Sequence, residues 1–434
     1  MKYYSTNKSV PEVSFEDAIV KGLPEDNGLF MPERIVPLPQ SFIDGLKGSS
    51  LQEIGYEVAS RFIEDEIPEA DLRTIINDTL AFDIPAVPVE DDVYSLELFH
   101  GPTLAFKDVG ARFLARCLSY FSSKKARKAT ILVATSGDTG SAVAHGFLGL
   151  ENINVVILYP KGKVSDIQEK QLTTLGQNIT AFEVDGTFDD CQALVKKSFL
   201  DKPVKDKFHL TSANSINMAR LIPQSFYYFW AYAQVKDGNR PVYISVPSGN
   251  YGNLTAGLLA QKMGLPIDRF VASANANDIV PAFLTSGIFD PKASVQTISN
   301  AMDVGNPSNF ARMMDLFGGD VNAFRDHISG YSYTDEETRA CMQAVYAKQG
   351  YMLDPHGAVG YLGLKEYMKG KDGVGVFFET AHPAKFGDVV EETIHTKIDI
   401  PARLQEYVDK TKVSIEINNS YEELLAVFEE VLGK

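Results

Sequence analysis

The sequence predicts an α/β protein built on parallel strands covered by helices on both faces, and three observations carry that reading. Short apolar runs rich in β-branched residues recur along the chain: ATILVA (129–134), NVVILYP (154–160), NITAFEV (178–184), PVYISV (241–246), RFVASA (269–274) and GVGVFFET (373–380). Helical segments such as KVSDIQEKQLTTLG and FDDCQALVKKSF separate them. Strands that are apolar throughout are buried on both faces, as in parallel sheets. Finally, Gly-rich turns follow three of the runs: SGDTGS, SGNYGN and TAHPAKFG. One such turn is ordinary loop chemistry. Three at strand ends, expected in one sheet, mark the crevice where open α/β sheets bind ligands. None fits G-x-x-x-x-G-K-[ST] or G-x-G-x-x-G, which disfavours a P-loop or a dinucleotide fingerprint.

Residues 1–90 read as a separate unit, with helices near 14–21 and 49–64, a helical DLRTIINDTLAF and an extended GLPEDNGLFMPERIVPLP. The chain changes character at VYSLELFHGPTLAFKD. Its 434 residues suit two or three domains or lobes, and 44% hydrophobic with 23% charged residues is a globular composition. No internal repeat or low-complexity segment is present.

The net charge of −16 speaks against a nucleic-acid partner, and the basic cluster Lys124 to Lys128 reads as a solvated surface. An anionic substrate would be held by backbone amides and a few placed Arg or Lys. The three cysteines, Cys117, Cys191 and Cys341, show neither C-x-x-C nor zinc spacing, which suits a reducing cytoplasm. MKYYSTNKSV lacks the apolar segment of a secretory signal, and no stretch reaches the ~18 apolar residues of a membrane span. A cytoplasmic protein with no membrane partner is expected. No two of the seven histidines stand at i, i+4 with an acidic partner, so no metal is expected. His382 and His356 fall in loops near strand ends. QSFYYFWAYAQV (224–235) reads as core.

The chemistry centres on GPTLAFKDVGARF (101–113). Val109, Phe113, Cys117 and Phe121 form one helical stripe at i, i+4 spacing, so Lys107 stands at a helix start behind Ala105 and Phe106. An apolar pocket and the positive helix end both disfavour an ammonium. A free amine is what adds to a carbonyl; the alternative is a solvated lysine beside Asp108. SGNYGN (248–253) offers amides before a helix and suits a phosphate dianion, or is an ordinary strand-to-helix turn. SGDTGS (136–141) is a second anion cup, with hydroxyls from Thr135, Ser136 and Thr139. SANSINMARLIPQ (212–224) adds Asn217, with Asn214 and Ser215 in a turn and Arg220 on a helix reaching back. Arg220 is either a forked clamp for phosphate or carboxylate or a surface ion-pair partner.

Taken in order, HGPTLAFKDVGARF, TSGDTGSA, SANSINMARLIPQ, VPSGNYGNLTAG and ETAHPAKFGD resemble threonine synthases of the bacterial and fungal branch, and YYSTN and LPEDNGLFMP resemble that family's N-terminal domain. The resemblance spans essentially the whole chain. It implies a fold-type II pyridoxal-phosphate (PLP) enzyme resembling tryptophan synthase β, with two lobes of parallel-rich sheet: an N-terminal domain at 1–90 and a catalytic domain at 91–434, its smaller lobe near 125–215. It implies that Lys107 carries PLP as a Schiff base, that Gly249, Asn250, Tyr251, Gly252 and Asn253 form the cofactor phosphate cup, and that Thr380 faces the pyridine nitrogen. Thr135, Ser136 and Thr139 would hold the substrate carboxylate, and Asn214, Ser215 and Arg220, with help from Thr139, the substrate phosphate. Asp138 departs from the asparagine common in such folds near the cofactor's phenolic oxygen. A carboxylate there must share a proton or point elsewhere. The implied reaction converts O-phospho-L-homoserine and water into L-threonine and phosphate, in a monomer or homodimer. The rivals are a dehydratase or phospho-lyase giving 2-oxobutyrate, and a binding protein on a dead enzyme scaffold. The Arg220 cluster and N-terminal domain speak against the dehydratase, and intact Lys107, Gly249 to Asn253 and Thr380 against the dead scaffold.

Overall fold

The computed structural model describes residues 1–125, 128–135 and 137–432. Strands β1 (Tyr3–Ser5) and β2 (Phe30–Pro32) pair antiparallel, with the helix Phe15–Lys21 between them and the helices Leu51–Ile63 and Glu69–Thr79 after them. Serine caps set two of these helices: Ser14 accepts from the Asp17 N–H and Ser50 from the Glu53 N–H. Their apolar faces, including Phe15, Ile19, Val58, Phe62 and Ile76, share one continuous core with Phe113 and Phe226. The N-terminal unit is therefore cored against the rest of the molecule.

The remaining strands are β3 (Ala86–Glu90), β4 (Val93–Glu97), β5 (Ala129–Ala134), β6 (Ile153–Pro160), β7 (Ile179–Asp185), β8 (Leu210–Ser212), β9 (Val242–Pro247), β10 (Arg269–Ala274), β11 (Ile328–Ser332), β12 (Val374–Glu379) and β13 (Ile415–Asn418). They form a six-stranded sheet in the order β11-β10-β9-β12-β4-β3 and a five-stranded sheet in the order β13-β7-β6-β5-β8. The five-stranded sheet is parallel throughout, and in the six-stranded sheet only the β3–β4 hairpin is antiparallel. The three Gly-rich turns, expected in one sheet, lie in two. SGDTGS follows β5, while SGNYGN and TAHPAKFG follow the neighbouring strands β9 and β12. An apolar run reads alike whichever sheet receives it, so periodicity could not assign the partner.

β13 and the helix Tyr421–Leu432 return from the C-terminus to cover the five-stranded sheet, where Ile417, Leu424 and Phe428 pack with Leu132, Val156 and Phe182. The helix Lys107–Lys125 buries Val109, Phe113, Cys117 and Phe121, the expected stripe. It packs closely on the helix Asp138–Phe147: a Cβ added at Gly146 would lie 3.0 Å from the Ala111 backbone. Phe226, Tyr227, Tyr228 and Phe229 of the helix Gln224–Val235 are core residues, as expected.

Candidate active site

The carboxyl ends of β5 and β8 in one sheet, and of β9 and β12 in the other, bring the sequence motifs together. The segment before Lys107 is laced onto the exit of β12. Phe106 N–H donates to the Thr380 carbonyl at 2.8 Å, His382 N–H donates to the Leu104 carbonyl at 3.1 Å, and Ala105 bridges Ala381. This fixes Lys107 beside Thr380. The Lys107 side chain is partly buried, with its amine 5.9 Å from the Phe106 ring centre. It makes no hydrogen bond or ion pair with the described residues. Burial lowers its pKa to about 8; Asp138 works in the opposite direction, while Arg220 and Lys385 add to the lowering. Thr380 is buried, and its hydroxyl has no hydrogen-bond partner among the described residues.

A second buried lysine lies nearby with the opposite character. Lys385 Nζ sits 2.5 Å from Asp138 Oδ1 and donates to the Thr103 carbonyl at 2.9 Å. Gln168 Nε2 donates to the same carboxylate oxygen at 2.8 Å. Burial works against an ionised Asp138, yet the Lys385 and Lys107 ammoniums hold its pKa down at about 2. Of the two amines, only Lys107 is unengaged.

Two anion cups lie beyond them. The helix Gly252–Lys262 starts at Tyr251, which adopts a left-handed conformation (φ 59°), and no side chain caps it. Leu254 N–H is already held by Asn253 Oδ1 at 2.9 Å, while the helix start and its dipole suit an anion. A Cβ added at Gly249 would lie 2.8 Å from Met302 Cα, so the backbone approach there requires glycine. The Asn253 side chain is engaged within the turn, accepting from Ser248 Oγ and donating to the Pro247 carbonyl. Asn250 Nδ2 donates to Ser215 Oγ at 2.6 Å, which joins this cup to the second.

In the second cup Arg220, on the short helix Met218–Leu221, reaches back to donate to the Ala213 carbonyl at 2.6 Å. It is only 4% exposed, has no carboxylate partner among the described residues, and its Nε is buried without an acceptor. Burial lowers its pKa to about 10. The Asn214 amide and the Thr139 hydroxyl make no side-chain hydrogen bonds among the described residues. Thr135 Oγ1 accepts from Gly137 N–H at 3.0 Å and Gly140 N–H at 2.8 Å, and so shapes the start of the helix Asp138–Phe147. Ser136 lies outside the described residues.

Several residues that hold the site escaped the sequence reading. Arg312, fully buried, donates to the carbonyls of Phe30 and Ile216 and to Asn309, whose amide donates to the Asn250 carbonyl at 3.1 Å. Nothing local in the sequence marks Arg312 or Asn309. Asn217, named with the SANSINMARLIPQ motif, donates through Nδ2 to the Ile19 carbonyl at 2.9 Å. For Lys385 there was a signal: the unexplained carboxylate of Asp138 in SGDTGS required a cation.

An unengaged amine, a helix start approached closely at Gly249, and a buried arginine with no carboxylate partner among the described residues are donors suited to PLP and a second anion. The pyridoxal-phosphate dependent enzyme family matches residues 77–379, threonine synthase N terminus matches 2–80 and threonine synthase C-terminal matches 357–427. The threonine synthase of Haemophilus influenzae is 47% identical over 98% of this chain and 99% of its own length. The chain belongs to the threonine synthase family. The crystal structure of threonine synthase from Escherichia coli superposes with a TM-score of 0.93 at 43% identity, covering 99% of this chain and all of that one. The PLP-bound threonine synthase from Brucella melitensis gives 0.93 at 36% identity, covering 99% of each chain. The chain is accordingly a PLP-dependent lyase of fold type II. No helix among the described residues is long and apolar enough to cross a membrane.

Proposed function

We propose that the chain converts O-phospho-L-homoserine and water into L-threonine and phosphate. The observation that carries this reading is Arg220, a buried cation with no carboxylate partner among the described residues, in a cup beside the one at Gly249–Asn253. When bound, PLP supplies an electron sink for charge developing on the substrate carbons. The amides opening the helix Gly252–Lys262 hold the cofactor phosphate, and Thr380 offers the ring nitrogen a neutral hydroxyl that does not enforce protonation. Lys107 would carry the cofactor and, as a free amine, would take the Cα proton; its lowered pKa supplies the free amine near neutral pH. Thr139, the turn shaped by Thr135 and, on the family resemblance, Ser136 hold the substrate carboxylate. Arg220, Asn214 and Ser215 hold the dianion that leaves from Cγ. Closure of the five-stranded lobe over the site excludes water until the addition step. A dehydratase needs no second phosphate cup, and a phospho-lyase would stop at elimination. Product analysis of purified protein with O-phosphohomoserine tests the reading: threonine in excess supports it, and 2-oxobutyrate as the main product refutes it.

A further inference from the structure

We propose that Lys385 is a positioning residue that keeps the Lys107 amine reactive by binding and neutralising the Asp138 carboxylate. The inference rests on Lys107 being the cofactor-bearing amine. Asp138 opens the helix Asp138–Phe147 of the five-stranded lobe, whereas Lys385 lies in the turn Pro383–Phe386 after β12 of the six-stranded lobe. Their 2.5 Å contact joins the two lobes across the site. The Lys385 side chain has no exposed surface and is tethered a second time by the Thr103 carbonyl, while Thr103 itself donates to Asp108 at 2.8 and 2.6 Å. Gln168 fixes the shared carboxylate oxygen from the helix Asp166–Thr173. Both charges are thus held in place before any ligand arrives.

The electrostatic consequence concerns Lys107. An ionised carboxylate within reach of a lysine favours the ammonium, the form that cannot add to a carbonyl. Asp138 alone would therefore hold more of Lys107 as the ammonium. With Lys385 bound to it, the pull of the carboxylate on Lys107 is weakened. The charged groups facing Lys107 are Asp138, Arg220 and Lys385. Around Lys385 stand also Asp108, His145 and His382; burial holds both histidines at about 4, so they add no charge near pH 8. An asparagine at position 138 would need no such lysine.

The test is pulse acetylation of Lys107 by trace acetic anhydride across pH 6–10, in the full-length chain freed of PLP. The signal is read by mass spectrometry and normalised to the same lysine in the unfolded chain. In Lys385→Met the Lys107 midpoint should rise by about 1 unit or more, the scale for an uncompensated neighbouring carboxylate. Lys385→Arg should keep the parent midpoint, and Asp138→Asn/Lys385→Met should bring it back down. Asp138→Asn alone should fall below the parent, which keeps the inference falsifiable should Lys385→Met fold poorly. An unmoved midpoint in Lys385→Met or Asp138→Asn, or a double variant that stays high, overturns it. Borohydride trapping of PLP in the parent separates the two levels. Trapping on Lys107 with unmoved midpoints overturns the role of Lys385 alone, and absence of trapping on Lys107 overturns the site assignment with it.

Discussion

At Arg220 a fixed charge stands where little water reaches, with one acceptor, the Ala213 carbonyl, and a buried Nε facing none. A buried unpaired guanidinium costs stability, and a bound dianion would offset that cost. Arg220→Ala should retain the visible band of the Lys107–PLP linkage, because the proposed cup for the cofactor phosphate lies at Gly249–Asn253. It should lose roughly 10²–10³ in kcat/KM for O-phosphohomoserine, about 2–4 kcal/mol, the scale for one preorganised donor. Steady-state kinetics beside the absorption spectrum checks both halves; retention of both would return Arg220 to a structural role. Lys107 carries a prediction in pH. Because burial lowers its pKa to about 8, the free amine grows as pH rises through 8. Capture of PLP by the apoprotein should therefore accelerate about tenfold per unit below pH 8 and level off above it. A capture rate independent of pH from 6 to 9, followed by the growth of the visible band, would contradict this. Thr380→Asp should protonate the ring nitrogen and divert the reaction toward side products, since a carboxylate stabilises a pyridinium; an unchanged product ratio and spectrum would remove Thr380 from the ring.

Among the elements, the strands legible in the sequence were those apolar along their whole length: β5, β6, β7, β9, β10 and β12 fall within a residue or so of their apolar runs. β8 (Leu210–Ser212) and β13 (Ile415–Asn418) were not legible, since three or four residues carry no period and their pairing is decided by distant partners. The division of strands between two sheets was hidden for the same reason. At the site, the Gly-rich turns and the apolar neighbours of Lys107 marked candidates, and it was the family resemblance that singled Lys107 out. Lys385 and Arg312, which act through long-range contact, could not be read from local chemistry. Arg312 ties the turn after β8 to β2 and to Asn309, so it lets the N-terminal unit hold the Arg220 cup. Arg312→Met should strand the Phe30 and Ile216 carbonyls, each costing about 1–3 kcal/mol. Urea unfolding should show that loss, and KM for the phosphorylated substrate should rise more than kcat falls. An unchanged KM would confine Arg312 to stability.

The whole molecule places its reactive groups between two sheets whose cores are finished by chain segments far away in sequence. The C-terminal β13 and the helix Tyr421–Leu432 close the outer core of the five-stranded lobe, where Leu424 and Phe428 are fully buried. Each such side chain contributes about 1.5–3 kcal/mol by burial. Truncation before β13 should therefore loosen the five-stranded lobe selectively: hydrogen exchange should lose protection in β5, β6 and β7 while β9, β10 and β12 keep theirs. Uniform loss would mean the lobes unfold as one unit. The proposed site leaves the partly buried Lys107 free for the cofactor and ties up the fully buried Lys385. Reduction of the PLP-loaded protein with borohydride, followed by peptide mapping, distinguishes the two lysines. The pyridoxyl group is expected on Lys107 with Lys385 unmodified; recovery of the label on Lys385 would reverse the assignment.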